Sequence, residues 1–218
     1  MDALVLVVSN PHDCAALERV RQAGKPYVLA YHHTREHACV GVDNTGAVRE
    51  LVQCLAAAGH RRIGMVTGQL QASDRAQQRC RGYALGMQAA GLAPLPLWEV
   101  PFAATAVQML LQHLAHPVPP TAIVCSNDLL AIRTLRAASL AGLSVPADLS
   151  IVGFDGIALA GDITPSLASI SQPNHEIGTA CVTLLCDALA NKTVLDARDS
   201  LCLPHGWRSG ESCRGLDT

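Results

Sequence analysis

Short apolar runs punctuate the chain at Ala3–Val8, Tyr27–Ala30, Cys39–Val42, Ile63–Thr67, Ala122–Cys125 and Ser150–Phe154, each flanked by polar or turn-forming residues. Runs of this length without polar alternation predict strands buried on both faces, as in a parallel sheet. Between them, apolar positions recur at helical spacing: Val48, Leu51, Val52 and Leu55; Val107, Leu110, Leu111 and Leu114; Ile177, Cys181, Leu184, Leu185 and Ala188. Each set traces one stripe that a sheet must cover. Strand and helix alternating in this way predict βαβ crossovers and an α/β fold.

The most detailed unit is Thr121 to Asp155, which reads as strand, polar turn, helix, turn, strand. Ser126-Asn127-Asp128 opens the helix with side chains able to accept from the free N–H groups of its first turn. Gly142 closes it, and Pro146 follows where a helix cannot continue. In open α/β sheets ligands sit at the carboxyl ends of parallel strands, which places Asn127, Asp128 and Asp155 to line a site. The same geometry lets Asn127 or Asp128 serve simply as a helix cap.

Composition narrows the class. With only 3% aromatic residues among 218, the core must be built from Ala, Leu, Val and Ile. No apolar run approaches the ~20 residues needed to span a bilayer. The opening MDALVLVV lacks the basic segment and small-residue cleavage site of a signal peptide and reads as a strand. A net charge of −2 without a Lys/Arg stripe argues against this chain gripping a phosphate backbone by itself. The nine cysteines are odd in number and lie largely within apolar runs, which suits buried reduced thiols in the cytoplasm. His32, His33 and His37 invite a metal reading. Adjacent histidines on an extended segment point to opposite faces, however, and no recognised metal spacing accompanies them, so neither metal nor cofactor is expected. Nor does the sequence carry a G-x-S-x-G elbow, a phosphate-binding G-x-x-x-x-G-K-[ST] loop or a G-x-G-x-x-G fingerprint, and an enzyme is not expected.

The N-D turn followed by GLSVPADLSIVGFD resembles the effector-binding region of the lactose-repressor/galactose-repressor (LacI/GalR) family of transcription regulators. Further matches occur in order at Val40–Gly68 (VGVDNTGAVRELVQCLAAAGHRRIGMVTG), Arg79–Leu92 (RCRGYALGMQAAGL) and Thr164–Gly178 (TPSLASISQPNHEIG). The resemblance covers Met1 to about Leu203. It implies two Rossmann-like lobes with parallel sheets, the type I periplasmic-binding-protein-like fold, joined by three crossings with ligand held between them. By that pattern residues 1–42 and 172–200 form one lobe, 43–171 and 201–210 the other, and 211–218 a polar tail. The family's helix-turn-helix reader, hinge and first two βα units have no counterpart before Ala3. The first lobe is therefore expected to be incomplete, with unpartnered strand edges and less stability than the second.

The resemblance also implies site residues. Arg79, in R-C-R-G-Y, matches the family's effector-contacting arginine, whose fixed donors suit vicinal hydroxyls or a carboxylate; the alternative is a solvated arginine on a helix that also carries Arg75 and Arg81. Phe102 stands where members place an aromatic, able to lie against a sugar's C–H face or a purine, or else to fold onto the core. Asn127 and Asp155 match the cleft-facing Asn of the N-D turn and the Asp of G-F-D. Gln172, in S-Q-P, either completes the set or bonds backbone at a crossing. Tyr31 departs from the family, since sugar-responsive members often carry Asp there. The function implied is sensing of a small-molecule effector, a sugar or derivative, by a homodimeric cytoplasmic regulator whose DNA reader is absent from this chain. The rivals are the solute-binding component of a sugar transport system and a non-binding dimerisation fragment.

Overall fold

The structure, a computed structural model, describes residues 2–215. The chain divides into two units, one of Met1–Asp43 with Gln172–His205 and the other of Asn44–Ser171 with Gly206–Thr218.

The first unit holds a four-stranded parallel sheet in the order β1 (Leu4–Leu6), β2 (Tyr27–Ala30), β3 (Cys39–Val42), β9 (Leu201–Leu203). Helix α6 (Asn174–Asn191) packs Ile177, Cys181 and Leu185 against Val28, Ala30 and Val40, so the predicted stripe is the face that meets the sheet. Helix α1 (Ala15–Gln22) buries Leu17 alone, against Leu29 and Cys39. The sequence reading places Leu201–Gly210 with the second lobe. The strand pairing divides that segment: Val40 and Val42 stand opposite Leu201 and Leu203, and only Gly206 onward joins the other sheet.

The second unit is a six-stranded sheet in the order β10 (Gly206–Arg208), β8 (Ala168–Ser171), β7 (Ser150–Asp155), β6 (Ala122–Cys125), β4 (Ile63–Thr67), β5 (Trp98–Glu99). Every pairing is parallel except β10 with β8. One face carries α4 (Ala106–Leu114) and α5 (Asp128–Leu140) over a core that includes Ile123, Ile151, Leu110 and Leu130. The other elements of this unit include α2 (Asn44–Ala57) and α3 (Asp74–Ala89), which cross closely because α3 is bare at two places. A Cβ at Gly82 would stand 2.4 Å from the Thr45 carbonyl oxygen, and one at Gly86 would stand 2.7 Å from Val52 Cβ. Gly59 ends α2 at φ 98°, its N–H reaching the Ala56 carbonyl while that of His60 reaches Leu55, a Schellman cap. The Gly142 stop read from the sequence ends α5 the same way, at φ 74°.

The segment read as a polar tail is packed in its described part. Ser212 is fully buried, accepting from the Ala168 N–H at 2.9 Å and donating to the Ile151 carbonyl at 2.6 Å. Its own backbone bonds Ile151 and Ser166, which fastens this turn to the starts of β7 and β8. Residues 216–218 lie outside the described residues.

Candidate functional site

Strands β4, β6 and β7 run parallel, so their carboxyl ends share one edge of the second unit's sheet. At that edge Arg79 is held on three sides. It sits in α3, whose start is fixed by the Ser73 hydroxyl accepting from the Ala76 N–H at 3.3 Å. Its Nε donates to Asn44 Oδ1 at 2.8 Å, and one Nη donates to the Ser126 carbonyl just past β6. The same Nη1 lies 3.3 Å from Asp155 Oδ1, and the guanidinium carbon sits 3.6 Å above the centre of the Phe154 ring. Arg79 is 5% exposed. Burial pulls its pKa downward, opposed chiefly by the Asp155 carboxylate. The expected alternative, a solvated helix arginine, does not describe this residue. A buried guanidinium needs hydrogen-bond acceptors and an opposed charge, and the start of α2 with the ends of β6 and β7 supplies them.

Asp155 closes β7 with φ at 113°, a conformation that side-chain-bearing residues rarely adopt. Gly156 follows at φ 70°. The turn brings the half-exposed Asp155 carboxylate onto Arg79 instead of leaving it in line with the strand.

Asn127 and Asp128 divide the two roles that the sequence leaves open. Asn127 is the N-cap of α5, its Oδ1 accepting from the Leu130 N–H at 2.9 Å, and it is half-buried at the same edge as Ser126. Asp128 is fully buried and does not line a site. Its carboxylate accepts from Ser169 Oγ at 2.6 Å and from the Ile157 N–H at 2.8 Å, tying α5 to β8 and to the turn after β7. Desolvation pushes its pKa up, partly offset by those two bonds. Gly153 makes room for it, because a Cβ there would stand 2.1 Å from Asp128 Oδ1.

Phe102, in the loop between β5 and α4, is 55% exposed and does not enter the core. Its ring lies on the backbone of Gly68, just after β4, where a Cβ would stand 2.2 Å from the ring edge. The last two candidates belong to the first unit. Tyr31 follows β2 at φ 67°, donates its N–H to the Val40 carbonyl at 2.7 Å and packs on the α6-facing cluster. Gln172 follows β8, with its carbonyl accepting from the Asn174 N–H at 2.9 Å. The structure thus brings Arg79 and Asp155 into contact, sets Asn127 beside the Ser126 carbonyl that Arg79 uses, and carries Tyr31 and Gln172 on the other unit.

Sequence reasoning missed Asn44 and Phe154 as partners of Arg79. Both stand inside motifs quoted for the resemblance, V-G-V-D-N and G-F-D, but long-range contacts, 35 positions in the case of Asn44, leave no periodic signal. The histidines near β2 serve locally: His32 is buried, and His37 Nδ1 bonds the Tyr27 hydroxyl at 2.9 Å, with burial lowering its pKa. Among the described residues no group of three or more His, Cys, Asp or Glu is arranged to hold a metal ion. No helix among them is long and apolar enough to cross a membrane.

The profile of the periplasmic binding protein-like domain matches residues 52–213. This chain belongs to that family. Its relatives are LacI-family regulators rather than enzymes. It is 33% identical over 89% of its length to the HTH-type transcriptional repressor CytR of Escherichia coli, and 37% identical over 62% of its length to the ribose operon repressor of Haemophilus influenzae. The chain spans 58% of the length of CytR and 41% of the ribose operon repressor. Among solved structures, a LacI-family regulatory protein from Chloroflexus aggregans aligns with 97% of this chain and 76% of its own, at 28% identity and a TM-score of 0.85. A complex of the regulator CelR with cellobiose aligns with 97% of this chain and 65% of its own, at 26% identity and a TM-score of 0.83. The periplasmic-binding-protein-like fold read from the sequence is therefore the fold of this chain.

Proposed function

We propose that this periplasmic binding protein-like chain is the effector-sensing domain of a LacI-type transcription regulator, and that its effector is a neutral polyhydroxylated molecule such as a sugar or nucleoside. The observation that carries the reading is the buried Arg79, fixed by Asn44, the Ser126 carbonyl and Asp155. A cation whose charge is already opposed by a carboxylate offers directed donors and acceptors without a net charge, which suits hydroxyl groups better than phosphates. Asn127 adds an amide at the same edge, and Phe102 an exposed ring for a sugar's C–H face or a base. In the first unit, Gln172 is a candidate contact by its place in S-Q-P, and Tyr31 is one that departs from the Asp often carried there by sugar-responsive members. Among the proteins named above, one solved neighbour is a cellobiose complex and one relative is a ribose operon repressor, which supports the reading. Operator recognition belongs, in this reading, to the part of such regulators that the chain does not span. The working form is a homodimer in the cytoplasm.

A thermal-shift screen against mono- and disaccharides, sugar phosphates, polyols, nucleosides and purines tests this. A ligand at about 100 times its dissociation constant adds about 2.7 kcal/mol, enough to raise the melting temperature by about 5–10 °C. Stabilisation by a neutral sugar or nucleoside is the expected outcome. A response to phosphorylated compounds alone, or to none, would overturn the reading.

A further inference from the structure

The chain passes between its two units at three places, after Asp43, after Ser171 and after His205. In the second unit, the residues at these crossings are joined by an unbroken series of contacts that runs through the Arg79–Asp155 pair. Gly206 stands opposite Ser171 in the β10–β8 register, so close that a Cβ on it would lie 2.5 Å from Ser171 Oγ. Ser171 stands opposite Asp155 in the β8–β7 register, and Gly156 permits that approach, since a Cβ there would lie 2.6 Å from Ser171 Cβ. Asp155 meets Arg79 at 3.3 Å, and Arg79 Nε donates to Asn44 Oδ1 at 2.8 Å. Asn44 is the first residue of the second unit and is 1% exposed. Its own orientation is fixed by its Nδ2 donating to Gln78 Oε1 at 3.1 Å.

We propose that Asn44 is a positioning residue that ties the effector arginine to the first crossing, so that occupancy of Arg79 or Asp155 is registered at all three crossings together. The proposal rests on reading Arg79 as an effector contact. Asparagine suits the position because its oxygen takes the Nε–H while its nitrogen binds Gln78. Aspartate keeps the first bond, and leucine keeps neither. A ligand that displaces Asp155 from Arg79, or tightens the pair, shifts a contact shared by the β7–β8 register and by the start of α2. The coupling thus needs no element beyond those already packed together.

The test is ligand-free NMR on the full chain, following the Arg79 Nε–H, which is assigned by its disappearance in Arg79→Lys. In the unaltered protein this proton exchanges slowly. Asn44→Leu speeds its exchange about tenfold, the factor one hydrogen bond to a charged group supports. Asn44→Asp restores the protection, while the Ile123 and Ile151 amides stay protected in both variants. A residue that only stabilised the fold would change those core amides together with the Nε–H. Arg79→Lys supplies a second arm that does not depend on whether Asn44→Leu folds: it shifts the backbone amides of Asn44, Ser171 and Gly206. Unchanged Nε–H exchange in Asn44→Leu, or unshifted Ser171 and Gly206 amides in Arg79→Lys, would overturn the proposal. A blank effector screen would count against the function proposed above but would leave these measurements as they are.

Discussion

In the second unit β4, β6 and β7 are buried along their length, with only Asp155 at the end of β7 reaching partial exposure. In the first unit β1 exposes Val5, β9 exposes Leu201 and Cys202, and α1 buries one side chain. Both units are built from the same strand-and-helix alternation, but the first has two inner strands, β2 and β3, and the second has four, and the second is the one that buries Arg79 beside Asp155. A polar site keeps its geometry only as well as the elements around it. The Arg79–Asp155 pair therefore lies in the unit with the larger buried sheet. Amide exchange should follow the same division, fastest in β1 and α1 and slowest in β4, β6 and β7.

The largest test of this contrast is a pair of glycine substitutions. Gly86→Val forces a side chain into the α2–α3 crossing, where a Cβ already lies 2.9 Å from the Arg49 carbonyl oxygen, and should cost about 3 kcal/mol or more in urea denaturation. Gly178→Ala, in α6 of the first unit with nothing within 4 Å of the new Cβ, should instead stabilise by about 0.5–1 kcal/mol. Equal losses from the two would mean that the helices of the first unit are packed as tightly as those of the second. Next in size is Asp128→Ala, which strands the Ile157 N–H and leaves the Ser169 hydroxyl only the longer bond to the Ile170 carbonyl, and should cost about 2–3 kcal/mol. Its neighbour Asn127→Ala removes only a cap, worth about 1 kcal/mol, and in the proposed function weakens effector binding as well. A larger stability loss for Asn127→Ala than for Asp128→Ala would reverse the roles assigned to the two residues.

The contrast also explains what could be read from the chain. Strands such as Ile63–Thr67 and Ala122–Cys125 were legible because burial on both faces leaves an unbroken apolar run. β8 was not in that set: its sequence, Ala-Ser-Ile-Ser, is small and polar because Ser169 must reach Asp128. β5 is two residues long and β9 is mostly exposed, so neither leaves a pattern. Ser212 looked like tail for a related reason, since its burial rests on hydrogen bonds and not on hydrophobicity. At the site, family resemblance pointed to Arg79 and Asp155, but their contact and the part played by Asn44 follow from folding alone. The roles of Asn127 and Asp128 could not be separated by reading, because adjacent polar residues at a helix start satisfy the same local rule while facing opposite surroundings.

Asp155 sharpens the comparison at a single backbone position. Its φ of 113° is unfavourable for any residue with a Cβ, at a cost on the order of 1–3 kcal/mol. Asp155→Ala keeps that strain and loses the contact with Arg79, whereas Asp155→Gly loses the same contact but relieves the strain. The glycine variant should therefore be about 1–2 kcal/mol more stable than the alanine variant, with effector binding weakened in both. Equal stability of the two would show that the turn after β7 relaxes in solution, and would remove strain from the account of this site.

The smallest expected effect is a pH dependence centred on His60, at the turn between α2 and β4. Its imidazole is buried, with Nδ1 3.0 Å from the Thr121 hydroxyl, and burial lowers its pKa with a further push from the Arg214 charge. A base whose folded pKa is depressed takes up its proton more readily in the unfolded chain. Its contribution to stability is therefore complete above the unfolded value of about 6.5 and is lost as pH falls from there toward the folded pKa. His37 and His113 are shifted the same way, so the decline belongs to all three. His60→Gln isolates one share: Gln carries an amide that can meet Thr121 but takes up no proton. Denaturation at neutral pH and again about one unit below 6.5 should show a shallower decline in the variant than in the unaltered protein. Parallel declines would place the acid sensitivity at His37 in the first unit or at His113 in α4. The first outcome would mean that the acid response came from the first unit, through a histidine whose pKa burial also lowers.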